Sequence, residues 1–380
     1  MKASATNSSC TSYINYQSRQ KIRTSMSKIV SIGTATPAFC HQQKDIMQFM
    51  LDANNPDEKN KKLIPILYHR SGIETRYSVF DDFSKIRGQW NFFGNNCTMP
   101  PLEARMSSFN DAAIALSVEA IKDCIKDTDI QEITHLITVT CTGLSAPGLD
   151  IQLIQQLGLS TNIVRTSVNF MGCYAALHAL KIADAFCRAD TNSKVLVVCT
   201  ELCTIHFQKS NDTDAILSST LFADGSAACL ITGNDASEGL SIRQFYSQIA
   251  LDGQKDMSWR LSSTGFLMTL SSYVPKLIKE EMKHLLKASL DKLQINQADI
   301  NEWAVHPGGK NILEAVENAL GLSASDLENS YDILRNYGNM SSPTILFVLK
   351  KIFENSQQKG NIFAVAFGPG LTMESVILEK

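Results

Sequence analysis

Strand-like and helix-like segments alternate from Lys28 to the end of the chain, and that rhythm limits the fold more than any other property of the sequence. Residues 133–140 and 194–200 are β-branched, nearly continuous apolar runs, the pattern of strands covered on both faces. Residues 102–125 instead repeat apolar side chains at Leu102, Met106, Phe109, Ala113, Leu116, Ala120, Ile121 and Cys124, the period of a long core-facing helix. An α/β fold with largely covered sheets follows. The 380 residues can bury a large core and suit two to three average domains or one large duplicated unit.

The rhythm runs twice. The first series expects a strand at 28–33, a helix at 41–51, the long helix at 102–125 and the strand 133–140. It continues with a helix at 150–157, a strand at 162–170, a helix at 175–189 and the strand 194–200. After Gly233-Asn234-Asp235 the second series expects a strand at 240–249, a helix at 274–293 and a strand at 303–306. Helices at 310–320 and 344–353 and strands at 362–367 and 373–378 complete it. The expected division is a 1–27 tail, a 28–236 N-terminal half and a 237–380 C-terminal half, a duplicated pair of α/β layers. The tail is rich in Ser, Thr, Asn and Gln, and no Asp or Glu precedes Asp45, so a disordered tail and an organelle-targeting segment both fit.

Charge and cysteine usage narrow the partners. A formal net charge of −3 offers none of the clustered basic excess that nucleic acid requires. No apolar run reaches the roughly 18 residues of a membrane helix, and the N-terminus lacks a secretory apolar core, so a cytoplasmic protein without a membrane span is expected. The ten cysteines, scattered from Cys10 to Cys229 in a large chain, read as reduced core thiols. Cys199 and Cys203 lack neighbouring ligands, and no metal site is expected.

Within residues 168–178, Val-Asn-Phe-Met-Gly-Cys-Tyr-Ala-Ala-Leu-His, a strand-like segment meets a small-residue turn, then Cys173, then a helix. A thiol at a helix start lies near unsatisfied N–H groups and the positive end of the dipole, which favour the thiolate. Cys173 is therefore a candidate nucleophile, although cysteine is also among the most buried residue types. His306 closes the 303–306 strand and opens Pro307-Gly308-Gly309, and Asn339 lies in Tyr337-Gly338-Asn339-Met340-Ser341-Ser342 before the 344–353 helix. Together such residues form a thiolate–imidazolium pair for attack on an activated acyl group, with donors for a carbonyl oxygen that gains charge. Separately, His306 is a loop histidine and Asn339 an ordinary turn residue. His178 and His284 fall within helices and have less to recommend them. The basic cluster Lys59, Lys61, Lys62, His69 and Arg70 is either a solvated face or a meeting point for phosphates.

These motifs, with Phe367-Gly368-Pro369-Gly370-Leu371-Thr372-Met373-Glu374, resemble the chalcone synthase-like type III polyketide synthases in order and approximate spacing, from about Ile29 onward. The resemblance implies a thiolase-like duplicated αβαβα fold, normally a homodimer, that works on acyl-CoA and malonyl-CoA without a bound cofactor. It implies that Cys173 is acylated by a starter acyl-CoA while His306 and Asn339 help decarboxylate malonyl-CoA, whose enolate attacks the thioester. Phe222 resembles the first of two gatekeeper phenylalanines, and Met268 stands at the second, a flexible side chain that loosens the gate. Cys141, His206, Trp259 and Ser341 match positions that control starter choice and chain length. The bulky His206 and Trp259 replace small residues of plant chalcone synthases and should reduce or reroute the elongation space. Ala146 matches a methionine that reaches across the dimer, so room opens elsewhere. Arg70 matches one coenzyme A phosphate contact, Leu63 and Ile66 stand at others, and Lys62 or Lys61 is the expected substitute. The implied product is a pyrone or resorcinol from an aliphatic acyl-CoA rather than a chalcone. A ketoacyl synthase III-like enzyme making one condensation shares the three residues, and a catalytically silent scaffold of the same fold is the reading outside enzymes.

Overall fold

The computed structural model describes residues 26–94, 99–126, 128–233 and 238–380. Most of the expected 1–27 tail, and the expected boundary at 236/237, lie outside the described residues. The chain opens with β1 (Lys28–Ala35), β2 (Phe39–Gln42), α1 (Gln43–Asn54), α2 (Glu58–Arg70) and β3 (Thr75–Ser78). Then follow α3 (Leu102–Cys124), β4 (His135–Thr140), α4 (Leu149–Leu157), β5 (Val164–Asn169) and α5 (Ala175–Ala189). β6 (Lys194–Leu202), α6 (Thr213–Leu221) and β7 (Asp224–Thr232) end the first series. The second contains β8 (Leu240–Ile249), β9 (Met257–Ser262), β10 (Gly265–Leu270), α7 (Val274–Asp291) and β11 (Ile300–Val305). It finishes with α8 (Lys310–Leu320), α9 (Glu328–Tyr337), α10 (Thr344–Asn355), β12 (Asn361–Gly368) and β13 (Thr372–Glu379).

Nine of the described strands form one sheet in the order β11-β12-β13-β8-β1-β7-β6-β4-β5. Its middle is the short antiparallel seam of β1 and β8, where Lys28 faces Ser241 and Ile29 faces Leu240. Outward from that seam the orders β1-β7-β6-β4-β5 and β8-β13-β12-β11 mirror one another, strand for strand except for β5. The alternation of side chains explains the layers. Val195, Val197 and Cys199 of β6 share one core with Ala364 and Ala366 of β12 and with the buried faces of α5 and α10. The intervening Leu196 and Val198 turn to α3 and α4, while Phe363 and Val365 turn to α7 and α8. The result is the thiolase-like αβαβα stack, with α5 and α10 at its centre.

Packing accounts for details that periodicity does not. Gly33 lies where α3 touches β1; a Cβ there would stand 2.2 Å from the carbonyl oxygen of Ala120. The helix expected at 41–51 begins only at Gln43, because residues 39–42 pair with β3 instead, His41 against Arg76. Tertiary pairing has overridden local pattern there. The eight described cysteines are all free, and every one but Cys40 is buried.

Leu180, fully buried in the central layer, tests its contribution. Leu180→Ala should lower unfolding free energy by about 2–5 kcal/mol, read as a lower urea midpoint at unchanged m-value.

Candidate active site

The turn before α5 has no room for choice. Phe170 has φ 60° and Gly172 φ 85°, and a Cβ on Gly172 would lie 2.5 Å from Cδ of Pro369. A Cβ on Gly368 would meet the Tyr174 ring at 2.6 Å. The Gly368-Pro369 turn of the second half thus seats itself against the turn that carries Cys173. Cys173 opens onto a cavity of about 440 Å³ whose lining includes Cys141, His306, Asn339 and Ser341.

His306 follows β11, and its N–H donates to Val365 O at 2.8 Å, which carries the β11–β12 ladder one residue further. Neither ring nitrogen has a hydrogen-bond partner among the described residues, and burial pushes the imidazole down to about 3. Asn339 is held through its backbone and its amide: Oδ1 accepts from the Ser341 N–H at 2.8 Å and Nδ2 donates to Gly308 O at 3.3 Å. These bonds fix the amide orientation, with Oδ1 3.9 Å and Nδ2 4.0 Å from Cys173 Sγ. Ser341, at φ 60°, forms the turn that makes this possible.

The thiol differs from the expectation drawn from its helix start. Burial pushes Cys173 up to about 11, opposed by Ser341 and Asn339 and reinforced by the Glu201 charge. Desolvation therefore outweighs the dipole. Burial opposes each charge singly; moving the thiol proton to His306 creates two opposite charges at once, and their attraction offsets part of the desolvation penalty. The arrangement suits thiol acylation and stabilisation of an enolate or oxyanion.

Phe222, Trp259 and Met268 line this cavity and also a second one of about 350 Å³ beyond them. Met268 and Trp259 face one another across the β9–β10 hairpin, and Trp259 Nε1 donates to Cys141 O at 2.7 Å. His206 lines the second cavity rather than the first. Its Nδ1 accepts from the Phe266 N–H at 3.1 Å, so Nε2 carries the proton it donates to Thr142 O at 2.7 Å. The ring stacks on Phe266 at 4.1 Å between centroids, and burial pushes its pKa down to about 3.

The predicted residues do not all converge. Arg70 lines the cavity with Leu63 and Ile66, but Lys62 is exposed on α2 outside the lining. Ala146 is exposed in the loop after β4 and borders a separate cavity beside β5. Two residues escaped the sequence reading. Lys310, the first residue of α8, lines the cavity with Arg70; its signal was a lysine straight after Gly308-Gly309. Glu201 is fully buried at the end of β6. It accepts from the Cys141 N–H at 2.9 Å, Thr142 Oγ1 at 2.7 Å and Ser342 Oγ at 2.7 Å. Burial raises its pKa while those donors pull it down; a carboxylate within an apolar strand was its signal. Among the described residues no group of His, Cys, Asp or Glu is arranged to hold a metal, and no helix is long and apolar enough to cross a membrane.

Residues 14–236 match the family described as chalcone and stilbene synthases, N-terminal domain, and residues 242–380 match the C-terminal domain. The chain is 31% identical over 370 residues to the "Alpha-pyrone synthesis polyketide synthase-like Pks18" of Mycobacterium tuberculosis, covering 94% of this chain and 92% of that protein. It is 30% identical over 363 residues to "Probable polyketide synthase 1" of Dictyostelium discoideum, which takes in 93% of this chain and 11% of that far longer protein. Among solved structures, the C-terminal type III polyketide synthase domain of Steely1 from Dictyostelium superimposes with a TM-score of 0.85 at 29% identity. That match covers 93% of this chain and 99% of the domain.

The two buried histidines set a pH dependence. Both His206 and His306 fall from an ordinary 6.5 to about 3, so their neutral forms favour the fold. Their contribution is complete above pH 6.5 and is lost as pH falls toward 3. Denaturant midpoints should drop between pH 7 and pH 4.5, and His206→Gln, which can still donate and accept, should show a shallower drop.

Proposed function

This chain belongs to the chalcone and stilbene synthase family of type III polyketide synthases, and from that premise we propose that it extends an aliphatic acyl-CoA starter with malonyl-CoA and cyclises the product. The observation that carries the reading is the meeting of Cys173, His306 and Asn339 in one apolar cavity. In the proposed cycle His306 takes the Cys173 proton and the thiolate attacks the starter thioester, forming the acyl–sulfur bond and releasing coenzyme A. Malonyl-CoA then loses carbon dioxide, and its C–C bonding electrons become an enolate whose oxygen faces the His306 and Asn339 donors. The enolate carbon attacks the Cys173 thioester; a C–C bond forms, the C–S bond breaks and the thiolate is free again. The lengthened chain, now on coenzyme A, reloads for the next round.

The aliphatic starter is supported by the lining, where Leu63, Leu67, Leu217, Leu221, Met257 and Met268 gather around the reacting residues. The rings of His206 and Trp259 narrow the route past the first cavity, which favours a short extension and closure to an alkylpyrone or resorcinol. Arg70 and Lys310 would meet the phosphates of coenzyme A, with Lys62 a turn or more farther out on α2. No resident cofactor enters the cycle, and the cytoplasm supplies both thioesters. A homodimer is proposed across β5, one of the two edge strands of the sheet, where Leu144, Ile151 and Val164 are exposed. Ala146 lies on that face.

Incubation with malonyl-CoA and a series of acyl-CoAs, followed by mass spectrometry, should yield multiply extended, cyclised products. A single ketoacyl product would overturn the polyketide reading. Cys173→Ala should carry no acyl adduct, whereas Asn339→Ala should load starter normally and condense roughly 100- to 1,000-fold more slowly. Sedimentation should give a dimer, and Val164→Lys should weaken it.

A further inference from the structure

α6 ends beside both the cavity wall and the site, and its last carbonyls have no partners within the helix. Side chains from a distant part of the chain take most of them. Nη1 of Arg76 donates to Ser219 O at 2.9 Å and to Phe222 O at 2.7 Å. Gln43 Nε2 donates to Thr220 O at 2.9 Å, and its Oε1 accepts from Arg76 Nε at 2.9 Å. The carbonyl between them, Leu221 O, accepts from the Asn339 N–H at 2.9 Å, and the Ala223 N–H returns to Asn339 O at 2.9 Å. Every carbonyl from 219 to 222 is therefore held, by Arg76, by Gln43 or by the backbone of Asn339.

Arg76 is 4% exposed. Its cation stands at a helix C-terminus, where the dipole favours positive charge. Its aliphatic stem also runs beneath the Asn339 turn: Gly338 has φ 69°, and a Cβ there would come within 2.8 Å of Arg76 Cγ. Arg76 lines only the second cavity and does not line the one that holds Cys173. It nevertheless grips the carbonyl of Phe222, whose ring is common wall to both, and the end of α6 to which the Asn339 backbone is bonded.

We propose that Arg76, partnered by Gln43, is a positioning residue of the condensing site, setting both the Phe222 partition between the two cavities and the approach of the Asn339 amide to Cys173. The inference rests on the polyketide synthase reading above. It separates two steps of the reaction. Acylation of Cys173 needs neither partition nor enolate and should be indifferent to Arg76. Condensation and chain length should depend on it.

Arg76→Lys keeps the charge but cannot hold a planar fork of three acceptors. We expect unchanged starter loading by intact-protein mass spectrometry, a fall of roughly 10- to 100-fold in the condensation kcat, and a broader spread of product lengths. In an Asn339→Ala background the same substitution should lower malonyl-CoA decarboxylation little further, because the two act through one element. Gln43→Met, which removes one arm of the clamp, should give the same pattern more weakly and serves where Arg76→Lys fails to fold. A variant that melts earlier yet keeps condensation rate and product pattern overturns the proposal. So does an equal loss of loading and condensation. Wild-type enzyme that loads but never extends overturns the polyketide reading and this inference with it, whereas a result confined to the variants bears on the inference alone.

Discussion

The two central helices are the constraint on which everything else rests. α5 and α10 are covered by strands of both halves of the sheet, and the small residues Ala175, Ala176, Ala179 and Ala183 let α5 sit there. The loops entering these two helices share one space, since the Asn339 amide lies 3.9–4.0 Å from Cys173 Sγ. Cys173 lies in the loop entering α5, and Asn339 and Ser341 in the loop entering α10. The mirror order of the strands adds a second correspondence: Cys141 directly follows β4, and His306 directly follows β11. Each half of the duplicated architecture thus delivers one strand end and one helix entrance to the same cavity, with different chemistry at each.

Polar satisfaction among the buried groups around the two cavities is uneven, and the unevenness separates scaffold from chemistry. Glu201 and His206 have their donors and acceptors matched, and each fixes neighbouring backbone, at 141–142 and at Phe266. His306 is buried, and neither of its nitrogens has a partner among the described residues, a state that costs free energy within the fold. A side chain kept unsatisfied among satisfied neighbours is suited to a task outside the fold, here the handling of a proton and a developing charge.

Much of the architecture was legible because burial and period coincide in it. α5 runs over the interval its pattern suggested, as do β8 and α8, since each has one clear apolar face or run. The β9–β10 hairpin and α6 were not legible: their residues are largely only partly buried or mixed in pattern, and both elements line the cavities. In the candidate site, the placement of Cys173, His306 and Asn339 around one cavity was legible because each stands at the junction of an apolar element and a glycine-bearing turn. Lys62 was read from a basic cluster as a substitute for absent phosphate contacts and Ala146 from its match alone, and neither lines the cavity in the single chain. Arg76 and Gln43 could not have been singled out, because their importance lies in carbonyls of a helix more than a hundred positions away in the chain.

The strand order also bears on how the protein is made. In the first half β1 pairs with β7, its last strand, and in the second β8 pairs with β13. Neither half can complete its sheet until its final strand has left the ribosome, and at about 5–20 residues per second β1 waits roughly 10–40 s for β7 and β8 roughly 6–25 s for β13. A strand that waits is an unpaired edge. The same closure that buries the nucleophile in the finished enzyme makes each half, while it is being synthesised, a client for whatever shields nascent strands.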